Sequence, residues 1–304
     1  MKAASRWQRM LSDALLLYLL PLLVGLLPWR IGFGLLKRVA RSPSVFQLIV
    51  QAAWQQASQR LPALDKVTFC RRYRLLLLVD RCDTLLCLMR SARWWRSQVE
   101  VQGDAFEQLP PGLLLNSHWG SGNWIWRLLD ARGLPAHFVA RRARATDVGR
   151  SWLGRGYLAW RSWAVHRSGC RGVIYTGGSS ARVLEVLHHG GSVLGMLDLP
   201  TRHDQAGADV SLLGRGLRFP VGLAVLARQA GVSTSIVSCG LDMDSGRRHL
   251  HLEFLPPGLE VDEILRRYAA HLERRIETEP AQWQAWPQAP AYFHHHDMGA
   301  EDAP

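Results

Sequence analysis

From about residue 98 onward, short apolar runs alternate with amphipathic stretches, and this alternation limits the possible folds more than any other feature of the chain. The apolar runs have the length of β-strands, and the intervening stretches carry apolar residues at helical spacing. This pattern is typical of α/β proteins, in which helices flank a mostly parallel sheet. We therefore predict strands at residues 112–116, 137–140, 172–176, 192–199, 233–239 and 249–254, and helices at residues 124–131, 147–165, 181–188, 221–230 and 261–278.

The region before this alternation predicts helices without strands. Leucines between residues 75 and 88 are interrupted by charged residues at helical spacing. We expect four segments along the chain. They are a membrane-associating helix with a basic flank at 1–42, a helical region at 43–97, an α/β core at 98–279 and a C-terminal tail at 280–304.

Residues 14–29 form an uncharged, strongly apolar run. As a helix the run would be about 24 Å long, which is shorter than the ~30 Å hydrocarbon core of a bilayer. A spanning helix and one that dips into a single leaflet both remain open, because basic residues flank the run on both sides. A cleaved signal peptide is disfavoured, since no small-x-small cleavage site follows the run. We expect the protein to sit on a membrane.

The charge balance is basic, with 37 Lys and Arg against 25 Asp and Glu, a formal net charge of +12. Such a balance fits nucleic acid, an anionic membrane surface, or acidic and phosphorylated substrates. Nucleic-acid binding is not expected, because zinc-finger spacing, basic-region heptads and the aromatic strand motif are all missing. The five cysteines contain no C-x-x-C pair, so we expect neither a disulfide framework nor a zinc site. We also expect no metal or redox cofactor.

His118 is the candidate general base. It follows the predicted strand 112–116 and precedes a predicted helix, and ligands of parallel sheets bind beyond the carboxyl ends of the strands. A helix N-terminus disfavours the charged imidazolium, so the neutral ring can accept a proton. Gly120 and Gly122 leave room for a substrate to approach the backbone. Trp119, beside the base, is a candidate for lining an acyl tunnel.

Several blocks of sequence occur in an order that resembles a known family. They are an apolar N-terminal run, Val-Gln-Gly at 101–103, His-Trp-Gly at 118–120, and Gly-Gly at 190–191 before a strand that ends in Asp198. A glycine-rich stretch at 214–222 then leads into an apolar helix, and Pro-x-x-Trp-x-x-Trp occupies 280–286. In this order the chain resembles the late acyltransferases of lipid A biosynthesis (lauroyl/myristoyl type), within the glycerolphosphate acyltransferase superfamily.

The resemblance implies a H-x-x-x-x-D/E motif in which the histidine deprotonates an acceptor hydroxyl and the acid orients the ring. The base is present as His118, but the motif acid is replaced by Asn123. Three interpretations stay open. Asn123 orients His118 in a working enzyme, a carboxylate such as Asp198 or Asp130 takes over, or the site only binds lipid.

The resemblance also implies a glycerolphosphate-acyltransferase-like fold and a membrane-associated acyltransferase. The acyl group would move from an acyl-carrier-protein or coenzyme A thioester to a hydroxyl of a lipid A precursor, an aryl-polyene-type lipid or another glycolipid or phospholipid. The expected location is the cytoplasmic face of a bacterial inner membrane. Guanidinium groups bind phosphate through two hydrogen bonds. The expected substrate-binding residues are Arg141, Arg142, Arg144, Arg167, Asp198, Trp119 and Gly120.

Overall fold

The computed structural model describes residues 6–141, 152–201 and 206–293. The described strands are Val99–Gly103 (β1), Gly112–Asn116 (β2), Ala136–Ala140 (β3), Gly172–Tyr175 (β4), Ser192–Met196 (β5), Gly207–Leu212 (β6), Arg215–Pro220 (β7), Ser233–Leu241 (β8) and Arg248–Phe254 (β9). The described α-helices are Arg6–Ala14 (α1), Leu20–Leu26 (α2), Trp29–Val39 (α3), Gln47–Arg60 (α4), Lys66–Met89 (α5), Ala92–Ser97 (α6), Asn123–Ala131 (α7), Trp152–Arg167 (α8), Ser180–His188 (α9), Gly222–Ala230 (α10), Val261–Thr278 (α11) and Ala289–Phe293 (α12).

Seven of the described strands form one sheet in the order β1-β9-β8-β2-β5-β3-β4. Strands β8, β2, β5, β3 and β4 are mutually parallel, so their carboxyl ends share one edge. Strand β9 is antiparallel to β8, and β1 runs parallel to β9. Helices flank the sheet, and the predicted α/β class with a mostly parallel mixed sheet is confirmed.

The central strand β2 is buried along its whole length. Its side chains alternate between two apolar cores, as the period of a strand requires. Leu114 joins a core that contains residues of α5 and α7, whereas Leu113 and Leu115 join a core that contains residues of α10 and α11. Helix layers on both faces therefore hold the carboxyl end of β2 in a fixed position.

All six predicted strands are present, and the structure adds β1 and the β6–β7 hairpin. Strand β1 lies at the sheet edge with most of its residues exposed, so it shows no apolar run. The hairpin turns through Leu213 and Gly214, both at positive φ, which is the backbone of a tight two-residue turn. These strands were missed because their signal lies in pairing and turn geometry rather than in apolar runs.

The N-terminal apolar run folds into the end of α1, a π-helical turn at Leu15–Leu19, helix α2 and the start of α3. One side of it packs into the protein, where Leu16, Leu20 and Val24 are buried. Among the described helices, none is both long and apolar enough to cross a membrane. The structure therefore gives no support to the predicted N-terminal membrane helix as a span.

A buried ion pair joins the helical region to the sheet. Arg248, at the start of β9, donates a hydrogen bond to Asp83 of α5 at 2.7 Å, and both side chains are fully buried. The guanidinium also lies 4.4 Å from the ring centre of Trp124 and 5.3 Å from that of Trp29. Burial raises the pKa of Asp83, although the neighbouring guanidinium opposes this. The pair thus ties α3, α5 and α7 to one end of β9.

The segment after α11 packs against the body of the protein. It contains 3-10 turns at Pro280–Gln282 and Trp286–Gln288, followed by α12. Trp283 and Trp286 are fully buried and meet edge to face, with ring centres 4.7 Å apart. Residues 280–293 of the predicted tail are therefore part of the core, and residues 294–304 lie outside the described chain.

Candidate active site

His118 stands two residues beyond the carboxyl end of β2 and five residues before the start of α7. Asp198 stands two residues beyond the carboxyl end of β5. Because β2 and β5 are parallel neighbours, both residues leave the sheet at the same edge and side by side. The sheet topology thus brings together two side chains that are 80 residues apart in sequence.

The two side chains form a hydrogen-bonded pair. Nδ1 of His118 lies 3.0 Å from Oδ1 of Asp198, and the backbone N–H of His118 donates to Oδ2 at 2.8 Å. An ionised carboxylate only accepts hydrogen bonds, so the proton of the neutral ring resides on Nδ1. Nε2 then carries the lone pair, and it makes no hydrogen bond to any residue within the described ranges. With its side chain 35% exposed, His118 can accept a proton from a bound molecule through Nε2.

Two opposing effects act on the pKa of His118. Burial disfavours the charged ring, but the charge and hydrogen bonds of Asp198 outweigh it and raise the pKa above its ordinary value. A raised pKa makes the ring a stronger base, and the carboxylate stabilises the imidazolium that forms when the ring takes up a proton. This is the electrostatic arrangement of a general base with its orienting acid.

Two further residues hold Asp198, whose side chain is fully buried. The indole Nε1–H of Trp283 donates to Oδ2 at 3.0 Å. The hydroxyl of Tyr268, on α11, donates to the carbonyl of Asn116 at 2.8 Å and lies 3.3 Å from Oδ1. Sequence reasoning missed both roles. Trp283 belongs to the late Trp-containing block, whereas Tyr268 carries no local signal that separates it from other core residues of an amphipathic helix.

The structure does not give Asn123 the orienting role that was predicted for it. Asn123 is the first residue of α7 and is 6% exposed. Its Nδ2 is buried without a hydrogen-bond partner, and no hydrogen bond within the described chain joins it to His118. The alternative carboxylate Asp130 sits near the far end of α7. Of the interpretations left open by the sequence, the one that assigns the carboxylate to Asp198 fits the geometry.

Asp198 was predicted to contact substrate; the structure instead buries its side chain completely and places it against His118. Trp119 was expected to line an acyl tunnel, but it is also buried. Its Nε1–H donates to the carbonyl of Glu279 at 3.3 Å, and its ring packs edge to face against His251. Trp119 therefore supports the loop that carries His118.

Gly120 provides a close backbone contact in place of the predicted space for substrate. Its φ is +78°, and a Cβ at this position would lie 2.1 Å from the carbonyl oxygen of Cys239 on β8. The Gly120 N–H donates to the carbonyl of Gln282 at 2.9 Å, and the next N–H, of Ser121, donates to Cys239 at 2.6 Å. The loop after His118 is thereby fastened between β8 and the C-terminal segment.

The predicted phosphate-binding arginines do not all lie at the site. Arg141 directly follows β3 and is exposed, so it leaves the sheet at the same edge as His118. Arg142 and Arg144 lie outside the described residues. Arg167 ends α8, which leads to the amino end of β4, so the structure places it at the opposite edge and not at the site.

The residues that the structure describes contain no group of three or more His, Cys, Asp or Glu side chains able to hold a metal ion. No protein-family model matches the chain, and no curated protein matches it.

Proposed function

We propose that the protein is a membrane-associated acyltransferase. It moves an acyl group from a thioester, carried by acyl-carrier protein or coenzyme A, to a hydroxyl group of a lipid. The observation that carries the proposal is the His118–Asp198 pair at the carboxyl edge of the sheet, with a partly exposed histidine side chain and a buried carboxylate. The order of sequence blocks that resembles the late acyltransferases of lipid A biosynthesis supports the choice of reaction.

His118 acts as the general base in this proposal. The acceptor hydroxyl donates its hydrogen bond to Nε2, and its oxygen attacks the thioester carbonyl as the proton moves to the ring. The resulting tetrahedral intermediate collapses, the carbon–sulfur bond breaks, and the ring returns its proton to the leaving thiolate. An ester and a free thiol result, and His118 is neutral again. Asp198 keeps the ring in the required tautomer and stabilises its transient charge through the 3.0 Å hydrogen bond.

An exposed apolar face supports the membrane part of the proposal. Large apolar side chains recur three or four residues apart along one side of the first helices, and Trp7, Leu11 and Leu26 are each at least 68% exposed. We call this the apolar face; its members are Trp7, Leu11, Leu15, Leu19, Leu22 and Leu26. A contiguous apolar patch of this kind marks a membrane or protein interaction site. A helix that lies in the bilayer interface presents such a face to the acyl chains. The proposed location of the protein is the cytoplasmic face of a bacterial inner membrane.

The test is acyl transfer by the purified full-length protein. The protein is mixed with a radiolabelled acyl thioester, of acyl-carrier protein in one series and of coenzyme A in another, and with vesicles of bacterial lipid extract that contain lipid A precursors. Labelled lipid is separated by thin-layer chromatography. His118→Ala is expected to lower the rate by about 10²–10⁴, the usual contribution of a general base. Because Nε2 must be unprotonated, the wild-type rate should rise with pH through the raised pKa of His118.

Arg182→Gln is the matched control, because it removes an exposed side chain of α9 whose salt bridge to Glu185 lies on the surface. The proposal is wrong if His118→Ala transfers label as fast as the wild type. If the wild type gives no labelled lipid from either thioester but still binds the vesicles, the alternative of a catalytically inactive lipid-binding protein replaces the enzyme proposal.

A further inference from the structure

A basic groove runs between helix α3 and the first turns of α5. Two cavities make up this groove, of about 600 Å³ and about 220 Å³, and they share Lys37, Arg41 and Asp244 in their linings. The last of these belongs to the turn between β8 and β9. We define the basic groove by its cationic side chains, which are Arg30, Lys37, Arg38, Arg41, Arg71 and Arg72.

The exposed side of α3 and the residues just after it carry several cationic side chains. Arg30 and Arg38 are exposed on this helix, and the exposed Arg41 lies in the turn that follows it. The ammonium group of Lys37, also on α3, lies 3.2 Å from the carbonyl of Asp244. The buried side of the same helix carries Trp29, Phe33 and Leu36, which fix its orientation on the protein. The cationic residues therefore form a stripe that faces outward into the groove.

The positive charge in the groove is poorly neutralised by the protein. Arg72 pairs with Glu279 at 2.7 Å, but Arg30, Arg38, Arg41 and Arg71 form no ion pair within the described parts of the chain. Asp244 is the one acidic residue that lines the two cavities. Clustered like charges repel one another, so a groove with this composition favours an anionic occupant.

The groove follows the apolar face along the chain, since the face ends at Leu26 of α2 and the groove begins at Arg30 of α3. Arg30 follows Leu26 by four residues, and the exposed Ile31 lies next to it at the start of α3. Helix α2 packs against α3, so the apolar side chains and the cationic stripe occupy neighbouring parts of one surface. An apolar area bordered by arginines matches a bilayer, in which phosphate groups lie directly above the acyl chains. An acidic protein would account for the charge but not for the adjoining apolar side chains.

We propose that the basic groove binds the phosphate groups of anionic bilayer lipids and so selects anionic membranes. Guanidinium groups suit this ligand because they form paired hydrogen bonds with phosphate oxygens. The inference rests on the membrane attachment in the proposed function, but not on catalysis. The apolar face supplies attachment to any bilayer, and the basic groove supplies the preference for negative charge.

Vesicle co-sedimentation of the full-length protein tests the inference. Wild-type protein should bind phosphatidylglycerol vesicles more tightly than phosphatidylcholine vesicles, and the difference should shrink as salt is added. The triple variant Arg30→Gln, Arg38→Gln, Arg41→Gln removes three exposed charges without a described partner. Each of the three substitutions is expected to weaken binding to phosphatidylglycerol vesicles by about fivefold, and the triple variant by about 100-fold. Binding to phosphatidylcholine vesicles should change little.

Two control variants separate the possible failures. Arg182→Gln, Arg228→Gln, Arg266→Gln removes the same net charge from exposed salt bridges on α9, α10 and α11, and it should retain the wild-type preference. Leu11→Gln, Leu15→Gln, Leu19→Gln alters the apolar face and should reduce binding to both kinds of vesicle. The groove proposal is overturned if its triple variant binds phosphatidylglycerol as tightly as wild type. If the wild type binds neither vesicle, membrane attachment fails as well.

Discussion

Replacing Asp198 by asparagine tests the site most directly, because it removes the charge while keeping the shape of the side chain. The carboxylate accepts hydrogen bonds from the backbone N–H of His118, from Nδ1 of the same residue and from the indole of Trp283. An amide has an acceptor at one end and a donor at the other. It cannot satisfy donors at both ends.

The geometry also shows which hydrogen bond the asparagine would lose. If the amide oxygen keeps the bonds to the backbone N–H and to Trp283, its NH₂ group faces Nδ1 of His118. The ring must then place its proton on Nε2, and it can no longer accept one there. A wrong tautomer of this kind costs about 10³–10⁴ in rate in a histidine–carboxylate pair. Loss of hydrogen bonds to a charged group also lowers the free energy of unfolding by about 1.5–3 kcal/mol.

The ring itself provides a readout that does not depend on the reaction. In the wild type, ¹⁵N NMR of the imidazole should show the proton on Nδ1 and a pKa above the ordinary histidine value. In Asp198→Asn the burial effect acts without the opposing charge, so the pKa should fall and the proton should move to Nε2. Asn123→Ala is the matched control and should change neither quantity. The reasoning is refuted if Asn123→Ala shifts the pKa of His118 while Asp198→Asn leaves it unchanged.

Three further predictions concern the support of the site. Gly120→Ala should prevent stable folding, because the added Cβ would clash with the backbone of Cys239. Gly133 is also at positive φ but has open space around it, so Gly133→Ala should lower the free energy of unfolding by only about 1 kcal/mol. Thermal melting compares the two variants. Asp83→Asn leaves the fully buried Arg248 without its charge partner, so urea unfolding should show a loss of about 3–5 kcal/mol. Burial, together with nearby positive charge, lowers the pKa of His251 to about 3 in the folded protein. In the unfolded chain the pKa of a histidine is about 6.5. The unfolded state therefore binds more protons between these values, stability falls as pH drops through this window, and His251→Gln should make the fall in unfolding free energy less steep.

The layer architecture could be predicted because the central strands are buried on both faces, and this burial requires the apolar runs seen in the sequence. Strand β2 is buried on every residue and stands out in the sequence as Gly-Leu-Leu-Leu-Asn. Strand β1 is mostly exposed and records no such pattern, although its pairing with β9 is complete over five residues. The pairing of such edge strands depends on neighbours far away in the sequence, and periodicity within the strand does not contain that information.

The position of His118 could also be predicted, since the carboxyl end of a buried parallel strand is where such folds place their ligands. Its partner could not be chosen with the same certainty. The local pattern pointed to Asn123, five residues on, because a motif acid is expected there. The neighbouring strand instead supplies Asp198, and selecting it requires the strand order β2-β5, which the sequence alone does not determine.

Under the proposed function, the same reasoning accounts for the asparagine at the first position of α7. A buried carboxylate is stabilised where donors converge on it, and the donors on Asp198 include the backbone N–H and Nδ1 of His118 and the indole of Trp283. Asn123 is buried, its amide nitrogen has no partner in the described chain, and no hydrogen bond within that part of the chain joins it to His118. In the proposed function, the negative charge that stabilises the protonated His118 comes from Asp198, which follows the neighbouring strand β5. Under the proposed function, a chain that departs from the local motif meets the electrostatic requirement of the reaction through its tertiary structure.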